Sequence, residues 1–182
     1  MNRKISTTIG AILLTVVLWG QGIPKEQLRD LFMQAAVRKS ALDSFVAKIE
    51  KNRTLTAYEE CYLGICNGLQ IQYLDGMWAK YKMLDRSRDH INKAIAKSPE
   101  DAELRFIRFM LEHNIPAFLG MSTHIKDDLR LIFSHTDFMN DNPDLKKMAM
   151  DFILASKRCT ANQQLVLENI MSGMKRRDMA QR

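Results

Sequence analysis

Apolar residues return every three or four positions through nearly the whole of this chain, and helix-start signals stand between the runs. Leu28, Leu31, Phe32, Ala35 and Ala36 form the first run behind Pro24, a residue suited to a first helical position. Ser40 opens a second run, Leu42, Phe45, Val46 and Ile49, and the two runs can equally be one kinked helix. Thr56 with Glu59 spells a capping box and starts a helix reaching about Leu74. Asp75-Gly76 is a turn, and Trp78, Tyr81, Leu84, Ile91, Ala94 and Ile95 then share one side of a long helix. Ser98-Pro99-Glu100 stops that helix and opens another, running to about His113, where Asn114 suits a left-handed cap. Further helices are predicted from about Thr123 to Ser134, from Asn142-Pro143-Asp144 to near Arg158, and from the capping box Thr160/Gln163 onward. Alternating patterns bounded by hairpin turns are missing. The chain therefore reads as all-α, with roughly seven or eight helices arranged as antiparallel hairpins in a short array or a compact bundle.

The first residues have a different character. Arg3 and Lys4 form a positive head, followed from Ile9 to Trp19 by an apolar stretch interrupted only by Thr15. As a helix that stretch spans about 16 Å, roughly half of a bilayer core. Head, short apolar core and the small residues Gly20 and Gly22 match a secretory signal peptide, with cleavage expected after Gly22. No other window approaches spanning length, so no membrane span is expected after cleavage. The organisation expected is a leader over 1–22, one helical domain over 23–174 and a basic tail over 175–182. The destination is export to the periplasm or cell envelope of a bacterium. With 46% apolar residues, the 160 residues after the leader are enough to bury a core without staples.

Charge supports this division. The formal charge is +6, but the segment from Ile23 to Met174 carries only +1, because the tail holds +3 and the leader +2. A nucleic-acid binder concentrates basic residues on a folded face, and none is seen here, so no nucleic-acid partner is expected. The cysteines are Cys61, Cys66 and Cys159, an odd number. Cys61 and Cys66 share a predicted helix, where five residues of rotation point their side chains roughly 140° apart. Pairing of Cys159 with either one stays open. No C-x-x-C is present, so a thioredoxin-like redox role has no support.

Two resemblances add to this reading. Ala94-Ile95-Ala96-Lys97-Ser98-Pro99, with Ile91 before and Ala102 after, resembles the second-helix end of a tetratricopeptide repeat, and Tyr62-Leu63-Gly64 resembles part of its first helix. This implies stacked helical hairpins with a face for a peptide or protein partner. Arg105-Phe106-Ile107-Arg108-Phe109, His113-Asn114-Ile115-Pro116 and Phe118-Leu119-Gly120 are similar to the core of a family of small exported bacterial helical proteins. That family has no assigned activity, so it implies export and a helical fold.

The segment Asp101–Glu112 carries the most distinctive residues. Leu104, Ile107 and Leu111 line one side and Ala102, Phe106, Phe109 and Met110 another, leaving Asp101, Arg105, Arg108 and Glu112 in a narrow charged seam. A helix of this kind belongs at the centre of the fold. In one reading Arg105 and Arg108 face a groove and grip a carboxylate or phosphate, flanked by His113 and Asn114. In the other, Asp101 pairs with Arg105 and Arg108 with Glu112 along the helix, and this is favoured because the charges balance. His90, His113, His124 and His135 show no H-x-x-x-H or H-E-x-x-H spacing, and Asp127, Asp128 and Asp141 lack calcium-loop spacing. Met148, Met150, Met171 and Met174 read as packing residues rather than a copper site. No P-loop, nucleophile elbow or dinucleotide glycine pattern occurs, and no cofactor is expected. The function expected is a non-enzymatic protein- or peptide-interaction module. The alternative is a small anionic-ligand or metal-binding protein using Arg105, Arg108 and His113.

Overall fold

The computed structural model describes residues 22–135 and 138–180. The leader expected over 1–22 lies outside them except for Gly22, and the basic tail is described to residue 180. Eight α-helices follow one another: α1 Lys25–Val37, α2 Lys39–Ile49, α3 Ala57–Gln70, α4 Met77–Lys97, α5 Ala102–Asn114, α6 Ile125–Ser134, α7 Pro143–Ala155 and α8 Ala161–Ala180. Single 3-10 turns sit at Ile71–Tyr73 and Ala117–Leu119. No strand occurs among the described residues. The all-α reading holds, and so do most of the start signals.

Both capping boxes form. Thr56 accepts the Glu59 amide while the Glu59 carboxylate accepts the Thr56 amide. Thr160 and Gln163 exchange the same pair of bonds at the head of α8. Asn142 caps α7 with Pro143 as its first residue. Other boundaries differ. A single extended residue, Arg38, separates α1 from α2, so Ser40 opens nothing and the two are separate helices. Asp101, not Ser98, caps α5, accepting the amides of Glu103 and Leu104. Asn114 stays helical, and the chain leaves α5 through an extended Ile115.

Polar contacts give the helix directions. Gly64 meets Ser87, Glu60 meets His90 and Lys97, and Leu55 meets Lys97, so α3 and α4 run antiparallel. Along α5 and α6, Glu112 meets His124 while Arg108 meets Asp128, again antiparallel. By contrast Tyr58 meets Asp101 and Tyr62 meets Glu103, so α3 and α5 are parallel neighbours. Helix α1 joins the same row, with Lys25 over the Tyr58 ring and Phe32 against Tyr62. The first helices of successive hairpins therefore lie side by side, each followed by its antiparallel return.

Two apolar clusters fill the fold. Leu28, Phe45, Ile49, Cys61, Leu63, Ile91, Leu104 and Ile107 belong to the first, built by α1 to α5. Phe106, Phe109, Leu129, Ile132, Ile153 and Leu167 belong to the second, built by α5 to α8. Helix α5 gives one face to each, and Met110 touches both. That is the central position its sequence predicts.

Candidate functional site

The charged seam of α5 is consumed by neighbouring elements, though not in the pairs predicted along the helix. Both arginines turn to Asp128 of α6, which is 0% exposed. Arg108 holds it with two bonds, Nε to Oδ2 at 2.8 Å and a terminal nitrogen to Oδ1 at 2.6 Å, and reaches Asn92 at 3.3 Å. Arg105 donates to Asp128 at 3.2 Å and twice to the Pro99 carbonyl. Glu112, also buried, accepts the His124 amide at 2.7 Å and shares a hydrogen bond with its ring, so it closes the start of α6. Asp101 caps α5 and takes the Tyr58 hydroxyl. The intrahelical ladder is corrected: tertiary partners won because each gives a buried, charge-assisted contact that an exposed i,i+4 pair lacks.

The four candidate ligand residues do not converge. Arg105 and Arg108 face α6. His113 lies between Phe109 and Phe152, with ring centroids 6.0 and 5.5 Å away. Burial holds its pKa below the ordinary imidazole value, and the Arg158 charge adds to this. Asn114 is exposed and donates back to the Met110 carbonyl. The crevice at Arg108, Asn92 and Glu112 has no room for a water-sized ligand.

A second polar network ties the row of parallel helices. The Arg29 guanidinium meets Glu103 at 3.0 and 2.6 Å and Asp141 at 2.9 Å. Tyr62 donates to Glu103 at 2.8 Å, and Lys25 adds an ion pair at 3.0 Å. Burial, and the carboxylates beside them, push the Tyr58 and Tyr62 hydroxyls far above their ordinary pKa, so both remain donors. An open cleft of about 550 Å³ lies where the α2–α3 connection meets α4. Most of its bases are engaged: Arg86 with Glu50, and His90 and Lys97 with Glu60. Cys61, Cys66 and Cys159 are free thiols, Cys66 being pushed up to about 12 by burial. Among the described residues no group of three His, Cys, Asp or Glu converges as a metal site.

One group of exposed large side chains lies at the start of α4. Met77 is 78% exposed and Trp78 67%, and Tyr81 and Tyr73 are exposed as well. Trp78 and Tyr81 stack in nearly parallel planes, 7° apart with centroids at 5.9 Å. Lys82 lies over the Trp78 ring at 5.1 Å and Lys39 over Tyr73 at 5.3 Å. The spacing puts Trp78 and Tyr81 on one side of α4 with Leu84, Ile91, Ala94 and Ile95. The core-facing stripe of α4 in fact begins at Leu84 and continues through Ser87, Ile91, Ala94 and Ile95. The first two turns of α4 extend past that stripe with no core to cover them. A signal was present: lysines at 80 and 82 interleave with these aromatics, as on a wet face. The chain matches no known family model, no curated protein and no solved structure.

Proposed function

We propose that this chain is an exported, non-enzymatic interaction module that docks a protein or peptide partner on the Tyr73, Met77, Trp78 and Tyr81 edge. The observation that carries the reading is the stacked, solvent-facing Trp78–Tyr81 pair with Lys82 over the Trp78 ring, while Lys39 covers the exposed Tyr73. Stacking pre-orders two large aromatic side chains, so less rotamer freedom is lost on binding. Trp and Tyr also dominate binding energy where they become desolvated. The lysines select a partner that offers acidic side chains around an apolar contact. Consumption of the buried charges within the fold supports binding by surface rather than chemistry in a cavity. The side-by-side row of hairpins is the arrangement that the tetratricopeptide-repeat resemblance implies, and it supports the array reading. The leader-like start supports an interaction in the periplasm or cell envelope. No helix among the described residues is long and apolar enough to cross a membrane.

The test is photo-crosslinking from positions 77 and 81 in the cell that makes the protein, with co-purification of the crosslinked partner. One acidic-faced partner should be captured, and Trp78→Ala should reduce capture at least tenfold while leaving thermal stability within about 0.5 kcal/mol. Capture that is indifferent to Trp78→Ala and Tyr81→Ala, or turnover of a small molecule by the purified protein, would overturn the reading.

A further inference from the structure

Glu59 is 0% exposed, and its carboxylate has no cation within ion-pair distance among the described residues. Uncharged donors hold it. Oε1 accepts from the Ile23 backbone N–H at 2.9 Å and the Asn52 amide at 2.7 Å, and Oε2 accepts from the Thr56 amide and hydroxyl. A buried carboxylate without a counter-charge is costly, and the other buried carboxylates among the described residues meet an arginine, lysine or histidine. The exception faces the residue that follows the predicted cleavage bond. Gly22 is itself pressed against the same carboxylate: a side chain there would approach Thr56 Cγ2 to 2.6 Å and Glu59 Oε2 to 2.9 Å.

We propose that Glu59 is the built-in counter-ion for the N-terminus created by cleavage between Gly22 and Ile23. This goes beyond the docking surface and rests on the export part of the proposed function. The exporting cell's signal peptidase adds water across the peptide bond. The C–N bond breaks, Gly22 leaves as a carboxylate, and the Ile23 nitrogen gains two protons to become an ammonium. The nitrogen that donated to Glu59 as a neutral amide then donates to it as a cation. Its other two protons face the half-exposed space that Gly22 occupied. The remaining nearby charges are engaged elsewhere or point outward. Glu60 is held by His90 and Lys97, Lys25 by Glu103, and Glu26 sits in the exposed first turn of α1. The ion pair fastens α1 to the head of α3 only after the leader is gone, so processing completes the packing of the first hairpin.

The full precursor is expressed with export, and the protein recovered from the periplasm is weighed intact. The first residue should be Ile23; any other first residue overturns the proposal. The α-amine is then titrated by its acylation rate against pH. Its pKa should stand about one unit above the usual value near 8, so that acylation at pH 7 is roughly tenfold slower in the folded than in the urea-unfolded protein. Glu59→Gln keeps the capping box, because glutamine serves at the same position, and should return the α-amine to its ordinary pKa. An α-amine that titrates normally in the folded wild type, or identically in Glu59→Gln, overturns the proposal. The comparison of folded with unfolded wild type needs no variant.

Discussion

Arg29 is 2% exposed, and every edge of its guanidinium meets an acid or lies in the core. Its value therefore cannot be read from the pair alone. Arg29→Met leaves Glu103 buried beside Tyr62 with only Lys25 to answer it, and should cost about 3–5 kcal/mol in urea melts. Arg29→Met combined with Glu103→Leu removes both charges and should recover a large part of that loss. A double variant no better than the single would show that the network itself, and not the orphaned charge, sets the cost. His113 makes a prediction about pH. Its folded pKa lies below the unfolded value of 6.5, so the unfolded chain takes up protons first as the pH falls. Its contribution is fully present above about pH 6.5 and declines as the pH drops through that value toward the folded pKa. The melting temperature should fall between pH 7.5 and 5.5, and His113→Leu should flatten that slope. Neither behaviour was legible from sequence. Arg29 sits in an ordinary helical run, and its partners lie 74 and 112 residues away. Asp128 was equally hidden, because acids in a helix's first turn, here Asp127 and Asp128, read as dipole partners rather than as the holder of two arginines.

At the scale of the element, α3 and α4 show what sequence can and cannot report. Local signals read correctly because they are complete within a few residues: Thr56 with Glu59, Asn142 with Pro143, and the Asp75-Gly76 turn, where Gly76 has φ of 80°. On α4 the spacing groups Trp78 and Tyr81 with Leu84 and Ile91, yet on that side only the residues from Leu84 onward are buried. Helical spacing tells which residues share a side, but not how far along that side a partner helix extends. Gly64 marks where the partner does lie. A Cβ there would meet Ile91 Cγ1 at 2.6 Å and the Ser87 carbonyl oxygen at 2.8 Å. The carbonyl cannot rotate away, so the two helices would have to separate. Gly64→Ala should therefore destabilise by about 1–3 kcal/mol, overcoming the roughly 1 kcal/mol that alanine gains in helix propensity. Gly173 is the internal control. It also lies within a helix, α8, but a Cβ there meets nothing within 4 Å. Gly173→Ala should be neutral to stabilising, by up to about 1 kcal/mol. Thermal melts of the two variants should move in opposite directions, and parallel losses would show that close approach is not what Gly64 provides.

For the molecule as a whole, the two apolar clusters are joined through α5 but are not equally supported. Helix α3 buries Glu59 and then, in one continuous stretch, Cys61, Tyr62, Leu63, Gly64, Ile65, Cys66 and Asn67. In α8, Leu167 is fully buried while Leu165 and Val166 stand in solvent. Local opening takes the least free energy where little apolar surface must be uncovered. Amide exchange should therefore be fastest along α8 and slowest in α3 and α5, whose carbonyls and amides are shielded on two sides. Phe109→Ala tests whether the clusters unfold together. Its ring is 0% exposed and packs edge-on against Phe152, so truncation should cost about 3–5 kcal/mol. That loss falls on the α5–α8 cluster. Protection in α7 and α8 should drop by most of the full amount. Protection in α3 should drop equally only if α5 transmits the loss, because α5 gives its other face, Leu104, Ile107 and Leu111, to the first cluster. The rigid Arg108–Asp128 contact and the continuous apolar surface of α5 favour transmission, so one cooperative denaturant transition is expected in the wild type. Exchange in Phe109→Ala that weakens α7 and α8 while leaving α3 untouched would show two separable halves. The Trp78–Tyr81 edge on α4 would then belong to a unit that holds its shape without the last two helices.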